Sequence, residues 1–147
     1  MGRLFSVPRA SFSLAAGNDI ATIVPGASKS FALVDIYLGG LGTTSAANEV
    51  AVAYQSAGGT TAGGLLNELP LDGGSGSFSG SIASTWSVQP TVNSGDFVRM
   101  FALNANGGQC YYRWSSPLVC SPNFSGISIR CVSGSSIINF SCTIEEF

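Results

Sequence analysis

Apolar side chains recur at every second position over short stretches of this chain, and Gly, Pro, Asn or Asp breaks each stretch. That alternation is the mark of half-buried strands; no stretch carries a sustained 3.6-residue stripe, so no long helix is expected. Residues 11–15 place Phe12 and Leu14 on one face. Residues 20–24 end at Pro25-Gly26, a turn pair. FALVDIYL (31–38) is apolar on both faces, as central strands are, and FVRMFAL (97–103) is apolar on both faces except for Arg99. Residues 49–55 point Val50, Val52 and Tyr54 inward. A strand at 110–114 follows the turn NANGG. Ile127, Ile129 and Cys131 share a face in 126–132, and Ile138, Phe140, Cys142 and Ile144 share one in 137–145. These last two are expected to pair as a hairpin around 133–136.

About eight strands with short links predict an all-β fold: a single antiparallel β-sandwich, jelly-roll-like. Residues 11–147 form that domain, and residues 1–10 read as an N-terminal arm. The exception to short links is residues 56–90, rich in Gly, Ser and Thr (AGGTTAGG, DGGSGSFSGS). A structureless loop of that length is uncommon in a compact domain. Short strands are therefore expected near 65–69 and 78–82, with the rest a surface excursion.

Composition changes the picture in one respect. Charged residues make up 10% of the 147, against about 25% in a typical soluble domain. A surface so poor in charge is either Ser/Thr/Gly/Asn-rich or covered by partners. Net charge is −2, and the six basic residues are scattered. No basic stripe is present to neutralise phosphates, so nucleic acid is not an expected partner. No run approaches a membrane span, and Pro8 and Arg9 interrupt the start before a signal-peptide core forms. Neither a membrane nor export is expected. Gly2 and Ser6 fit the loose acylation pattern M-G-x-x-x-[ST], which is short and common by chance.

Candidate chemistry is sparse. The chain has no histidine, which removes Ser-His-Asp and Cys-His catalysis and most catalytic zinc sites. No enzyme activity, catalytic residue, metal site or cofactor is expected. Cys110, Cys120, Cys131 and Cys142 stand ten, eleven and eleven apart, without the close pairs zinc favours. Without export they are expected to be reduced, with Cys131 and Cys142 acting as small apolar residues and Cys120 the most exposed. In QCYYRWSSPLVC (109–120), Cys110, Tyr112 and Trp114 share one strand face; Tyr111 and Arg113 share the other. An Arg beside a Tyr suits a carboxylate or a sugar, but a half-buried strand explains the pair as well. Adjacent Glu145 and Glu146 point to opposite faces and do not form a catalytic pair. Asp35 is either functional or paired with a buried partner such as Arg99. Asp19, Asp72 and Asp96 sit beside turn residues.

Four segments carry a resemblance: TTSAANEVAVAYQSAGGTTAGGLLNELPLD (43–72), STWSVQPTVNSGD (84–96), YRWSSP (112–117) and TIEEF (143–147). In that order they resemble small β-sandwich virion structural proteins of tailed phages, over roughly residues 30–147. The resemblance implies a capsid cement or decoration protein on the capsid exterior, made in the host cytoplasm. It implies the major capsid protein as partner and self-association, commonly as a homotrimer. It carries no catalytic residue, and the cysteines are not part of its pattern. Candidate partner contacts are Leu4, Phe5 and Arg9 in the arm, and Trp86, Tyr111 and Arg113. Deleting residues 1–9 is expected to abolish shell binding and leave the fold intact. The alternative is a tail-associated or host-recognition module, with Trp86 or Tyr111 stacking on a carbohydrate.

Overall fold

The computed structural model describes residues 2–73 and 76–147; Met1 of the acylation pattern and residues 74 and 75 of the excursion lie outside them. Twelve strands follow in order: β1 (Arg3–Ser13), β2 (Asp19–Val24), β3 (Phe31–Leu41), β4 (Ala47–Tyr54), β5 (Thr60–Thr61), β6 (Leu69–Pro70), β7 (Ser81–Ala83), β8 (Trp86–Val88), β9 (Phe97–Asn104), β10 (Asn106–Cys120), β11 (Ile127–Ser133) and β12 (Ile137–Glu146). One sheet has the order β10-β3-β12-β1-β6 and the other β7-β2-β11-β4-β9; β5 and β8 form a separate ribbon.

The pairing is nested. β1 pairs with β12, β2 with β11, β3 with β10 and β4 with β9, all antiparallel. Successive long strands alternate between the two sheets except at β4 and β9, which are neighbours in one. This is one long folded hairpin rolled into two layers, a jelly roll of eight principal strands. The fold class expected from the alternation is the one observed.

Inward faces build one core. Phe5 and Val7 of β1, Phe31, Leu33, Ile36 and Leu38 of β3, and Ile138, Phe140, Cys142 and Ile144 of β12 meet Ile23, Val50, Val52, Ile127, Ile129 and Phe101 from the opposite sheet. Each large side chain buried this way contributes about 1.5–3 kcal/mol.

Two expectations are corrected. Residues 3–9 are not an arm: β1 starts at Arg3 and pairs with β12 from Glu146 to Phe140. Nor do β11 and β12 form a hairpin. They belong to different sheets, β11 between β2 and β4, β12 between β3 and β1. The link 134–136 crosses between layers; three residues reach about 10 Å, the spacing of packed sheets. The excursion holds the expected short strands in shifted form: β6 lies at Leu69–Pro70, β7 at Ser81–Ala83, and Leu65 makes an isolated bridge to Ala83. It also holds β5 and β8.

At one end of the core, Glu146 points inward and is fully buried. It pairs with the Arg3 guanidinium and accepts the backbone N–H of Ser79 at 2.9 Å. Burial pushes its carboxyl up, but the Ser79 hydrogen bonds and Arg3 outweigh burial and hold it below the ordinary value. A carboxyl depressed in the fold supplies stability above its unfolded pKa, and that stability is lost as pH falls through the folded value. Glu146→Gln is therefore expected to remove a stability increment that is present at neutral pH and fades below about 4.5. Denaturant midpoints of the two proteins from pH 7 to pH 3 should converge on acidification; a constant gap would assign the loss to packing alone.

Candidate functional site

The six candidate contact residues do not converge. Phe5 is fully buried in the core and meets no partner. Arg9 is half-buried, its guanidinium 4.0 Å over the Phe12 ring and donating to the Ile20 carbonyl. Leu4 is exposed on the outer face of β1, Trp86 is half-buried on β8, and Tyr111 and Arg113 are exposed on β10. Two regions result: the open side of the sandwich, and the face beneath the excursion.

The open side is formed by β9 and β10, consecutive strands that end their respective sheets. Each pairs on one side alone, β9 with β4 and β10 with β3. Between them the gap is filled by aromatics. Tyr112 meets Trp114 edge-on at 5.0 Å and Phe101 at 5.9 Å, and the Arg99 guanidinium caps the Tyr112 ring at 4.1 Å. Cys110, Tyr112 and Trp114 thus face inward and Tyr111 and Arg113 outward, as their alternation requires. Unpaired strand edges invite association and are normally blunted by charge, Pro or a bulge. β10 has such devices: its ladder to β3 is interrupted between Arg113 and Leu118, and Pro117 lies in the interruption. β9 has Arg99 as its sole charged residue, while Val98 and Met100 project outward, Met100 48% exposed. On the outer face of the other sheet, Tyr111, at 62%, and Val119 are exposed along β10. A shallow depression of about 470 Å³ lies beside Val34, Arg113, Trp114 and Pro117.

The second region lies on the outer face of the β7-β2-β11-β4-β9 sheet. Residues there would face water in a bare sandwich, yet Asp19, Thr22, Gln55 and Ser128 are buried. The excursion folds back over them. Ser56 N–H donates to the Thr91 carbonyl at 3.0 Å and Thr91 N–H to the Ala57 carbonyl at 2.9 Å, closing its base. Gln89 accepts the Asp19 backbone N–H at 3.0 Å, and the Pro90 carbonyl accepts from Arg130 at 2.6 Å. Beneath it, the Asp19 carboxylate accepts from Arg130 Nε at 2.6 Å, from Thr22 Oγ1 at 2.7 Å and from the Ser128 hydroxyl. Burial pushes the Asp19 carboxyl up, against the Ser128 and Thr22 hydrogen bonds and the charge of Arg130. Trp86 stands between two cavities under the excursion: one of about 230 Å³ reaching Arg9, Asp19 and Gln89, and one of about 410 Å³ reaching Gln55, Thr60 and Thr61. Alternation alone marks Asp19 as a turn residue and Gln55 as a strand end. Their partners are remote in sequence, so no local signal brings them together.

Neither region holds a nucleophile with a base. Cys120, Cys131 and Cys142 are buried and Cys110 half-buried, and all four are free thiols. Burial pushes Cys120 up to about 11 and Cys142 higher still. Cys120 is thus not the exposed cysteine expected from its place before Ser121-Pro122; it ends β10 facing the core. Asp35 is not paired with Arg99. It lies opposite Arg113 in register, accepts the Thr143 N–H at 3.1 Å and the Tyr111 hydroxyl at 3.4 Å, and sits on the outer face. Among the described residues, no group of three or more His, Cys, Asp or Glu is placed to hold a metal.

The chain matches no family model, no curated protein and no solved structure.

Proposed function

We propose that this chain is a non-enzymatic virion structural protein of a tailed phage, a cement or decoration protein on the capsid exterior. Its partners are the major capsid protein and further copies of itself as a homotrimer; nucleic acid, membrane and cofactors have no part. The resemblance of four ordered segments supports the family, and one structural observation supports the mode of action. That observation is the open side, where the β9 edge carries exposed Val98 and Met100 and a single guarding charge. Such an edge gains main-chain hydrogen bonds and apolar burial when a neighbouring strand or subunit covers it. Each contact acts against association entropy, and many symmetric copies on a shell make the sum large.

Immunogold labelling of intact particles tests this reading. Even label over the head supports it; label confined to the tail overturns it. Met100→Asp tests the surface. An unpaired charge forced into an interface costs about 3–5 kcal/mol, and each 1.4 kcal/mol is tenfold. Co-sedimentation with particles lacking the protein should fall more than about 100-fold with the melting temperature unchanged. Undiminished binding would move the contact off β9.

The cleft beside Trp86 favours a second reading, a tail-associated or host-recognition module that stacks on carbohydrate. Copy number separates the two: many per particle for a shell protein, few for a tail component.

A further inference from the structure

Hydrogen-bond bookkeeping under the excursion leaves an acceptor over. The Asp19 carboxylate, held by Arg130, only accepts. The Ser128 hydroxyl must therefore donate to it. With its proton committed, Ser128 Oγ serves Gln55 as an acceptor, so Gln55 must present Nε2, at 3.0 Å. This fixes the Gln55 amide: its carbonyl turns away from the network and has no partner, although Gln55 is only 6% exposed. A second buried atom, the indole Nε1 of Trp86, also lacks a partner. Both residues line the same cleft of about 410 Å³.

Unsatisfied buried polar groups are rare and costly, and they ask for a partner. Neither atom presents open surface to the cleft, so a ligand meets them as the Gln55 and Trp86 side chains turn toward it, donating a hydrogen to Gln55 Oε1 and accepting one from Trp86 Nε1. A hydroxyl group supplies either. The other walls repeat the theme: Thr60, Thr61, Ser81 and Ser125 add four hydroxyls, and among the described residues no charged side chain lines the cleft. An anion would find no cation there, and a cation no carboxylate. The volume lies within the range of small-molecule sites, about 300–1,000 Å³, and far exceeds the roughly 30 Å³ of one water.

We propose that this cleft, between β5–β8 and the outer face of β2 and β7, binds a neutral saccharide through Gln55 Oε1, Trp86 Nε1 and the surrounding hydroxyls. For its ligand class the inference rests on the carbohydrate reading of Trp86, and it adds the site. It does not depend on location, since a shell subunit and a tail module can both carry it.

The test is a glycan array bearing neutral and acidic glycans, followed by calorimetric titration of any neutral hit. Neutral glycans should be retained. Trp86→Phe keeps one aromatic ring and removes the indole N–H; Gln55→Met keeps the length and removes the amide. Each should weaken binding by about tenfold or more, with melting checked in parallel. Should Gln55→Met fail to fold, Trp86→Phe at its half-buried position still decides. No neutral glycan retained, retention of acidic glycans alone, or binding undiminished in a folded Trp86→Phe would each overturn the site. Immunogold keeps the readings apart: head label with glycan binding intact ends the tail reading and leaves the site standing, while a blank array with tail label does the reverse.

Discussion

Deletion of residues 1–9 will leave no folded protein. The segment is most of β1, which lies between β12 and β6 and pairs with β12 from Glu146 to Phe140. Removing it takes Phe5 and Val7 out of the core, at about 1.5–3 kcal/mol each. It also strips Glu146 of its Arg3 partner, and a buried charge left alone costs about 3–5 kcal/mol. The total approaches the whole stability of a domain, about 5–15 kcal/mol. β12 would become an exposed edge whose inner face is apolar but for Glu146, a site for aggregation. Soluble yield, circular dichroism and thermal melting of the deletion variant check this. A soluble variant with a cooperative melt would return residues 1–9 to the status of an arm. Loss of shell binding by the deletion is uninformative once the fold is lost, so Leu4→Ser, on the exposed face of β1, is the variant that reads a contact there.

Why β1 escapes a reading of the alternation is visible in its register. Its inward positions are Arg3, Phe5, Val7 and Arg9, opposite Glu146, Ile144, Cys142 and Phe140. The two arginines lie at the ends of an apolar pair, so the stripe looks only two residues long. Pro8 also argues against a strand, but β6 pairs only with Phe5 and Ser6. Beyond Ser6, β1 is an edge strand, where a missing N–H does no harm. By contrast β3, β4, β9 and β12 are legible because large apolar side chains recur along their inward faces, with Arg99 in β9 and Glu146 at the end of β12 as the charged exceptions. Periodicity reports which face is buried and is silent on the partner. That is why alternation places Ile127 and Ile138 on buried faces, while the hairpin expected between their strands does not form. The face under the excursion was illegible for a related reason. Thr22, Ser128 and Gln55 are polar at outward positions and look solvated; only a fold-back of residues 56–91 makes them interior.

Beneath that fold-back the network centres on one carboxylate, and Asp19→Ala is expected to cost about 3–5 kcal/mol, the second-largest effect in the chain. Asp19 accepts from Arg130, Thr22 and Ser128 at once. Without it the guanidinium keeps, among the described residues, the Pro90 carbonyl as its one remaining hydrogen-bond acceptor, and two buried hydroxyls lose their acceptor. The damage comes from uncompensated charge and orphaned donors more than from lost attraction, and a double variant separates the two. Asp19→Ala with Arg130→Met removes both charges and restores apolar length, so it should recover most of the loss; the coupling measured by the cycle should be about 0.5–3 kcal/mol. The pH profile adds a second check. Burial raises the Asp19 carboxyl above its ordinary value, so its contribution is fullest below the unfolded pKa and declines as pH rises through the folded one, opposite in sign to Glu146. Because the Asp19 carboxylate positions Arg130, which holds the Pro90 carbonyl, the single variant should be nicked by protease within 56–91 well before the wild type. Equal nicking rates, with the full stability loss, would mean that the excursion is held by its own ribbon and that the Asp19 network stabilises β2 and β11 alone.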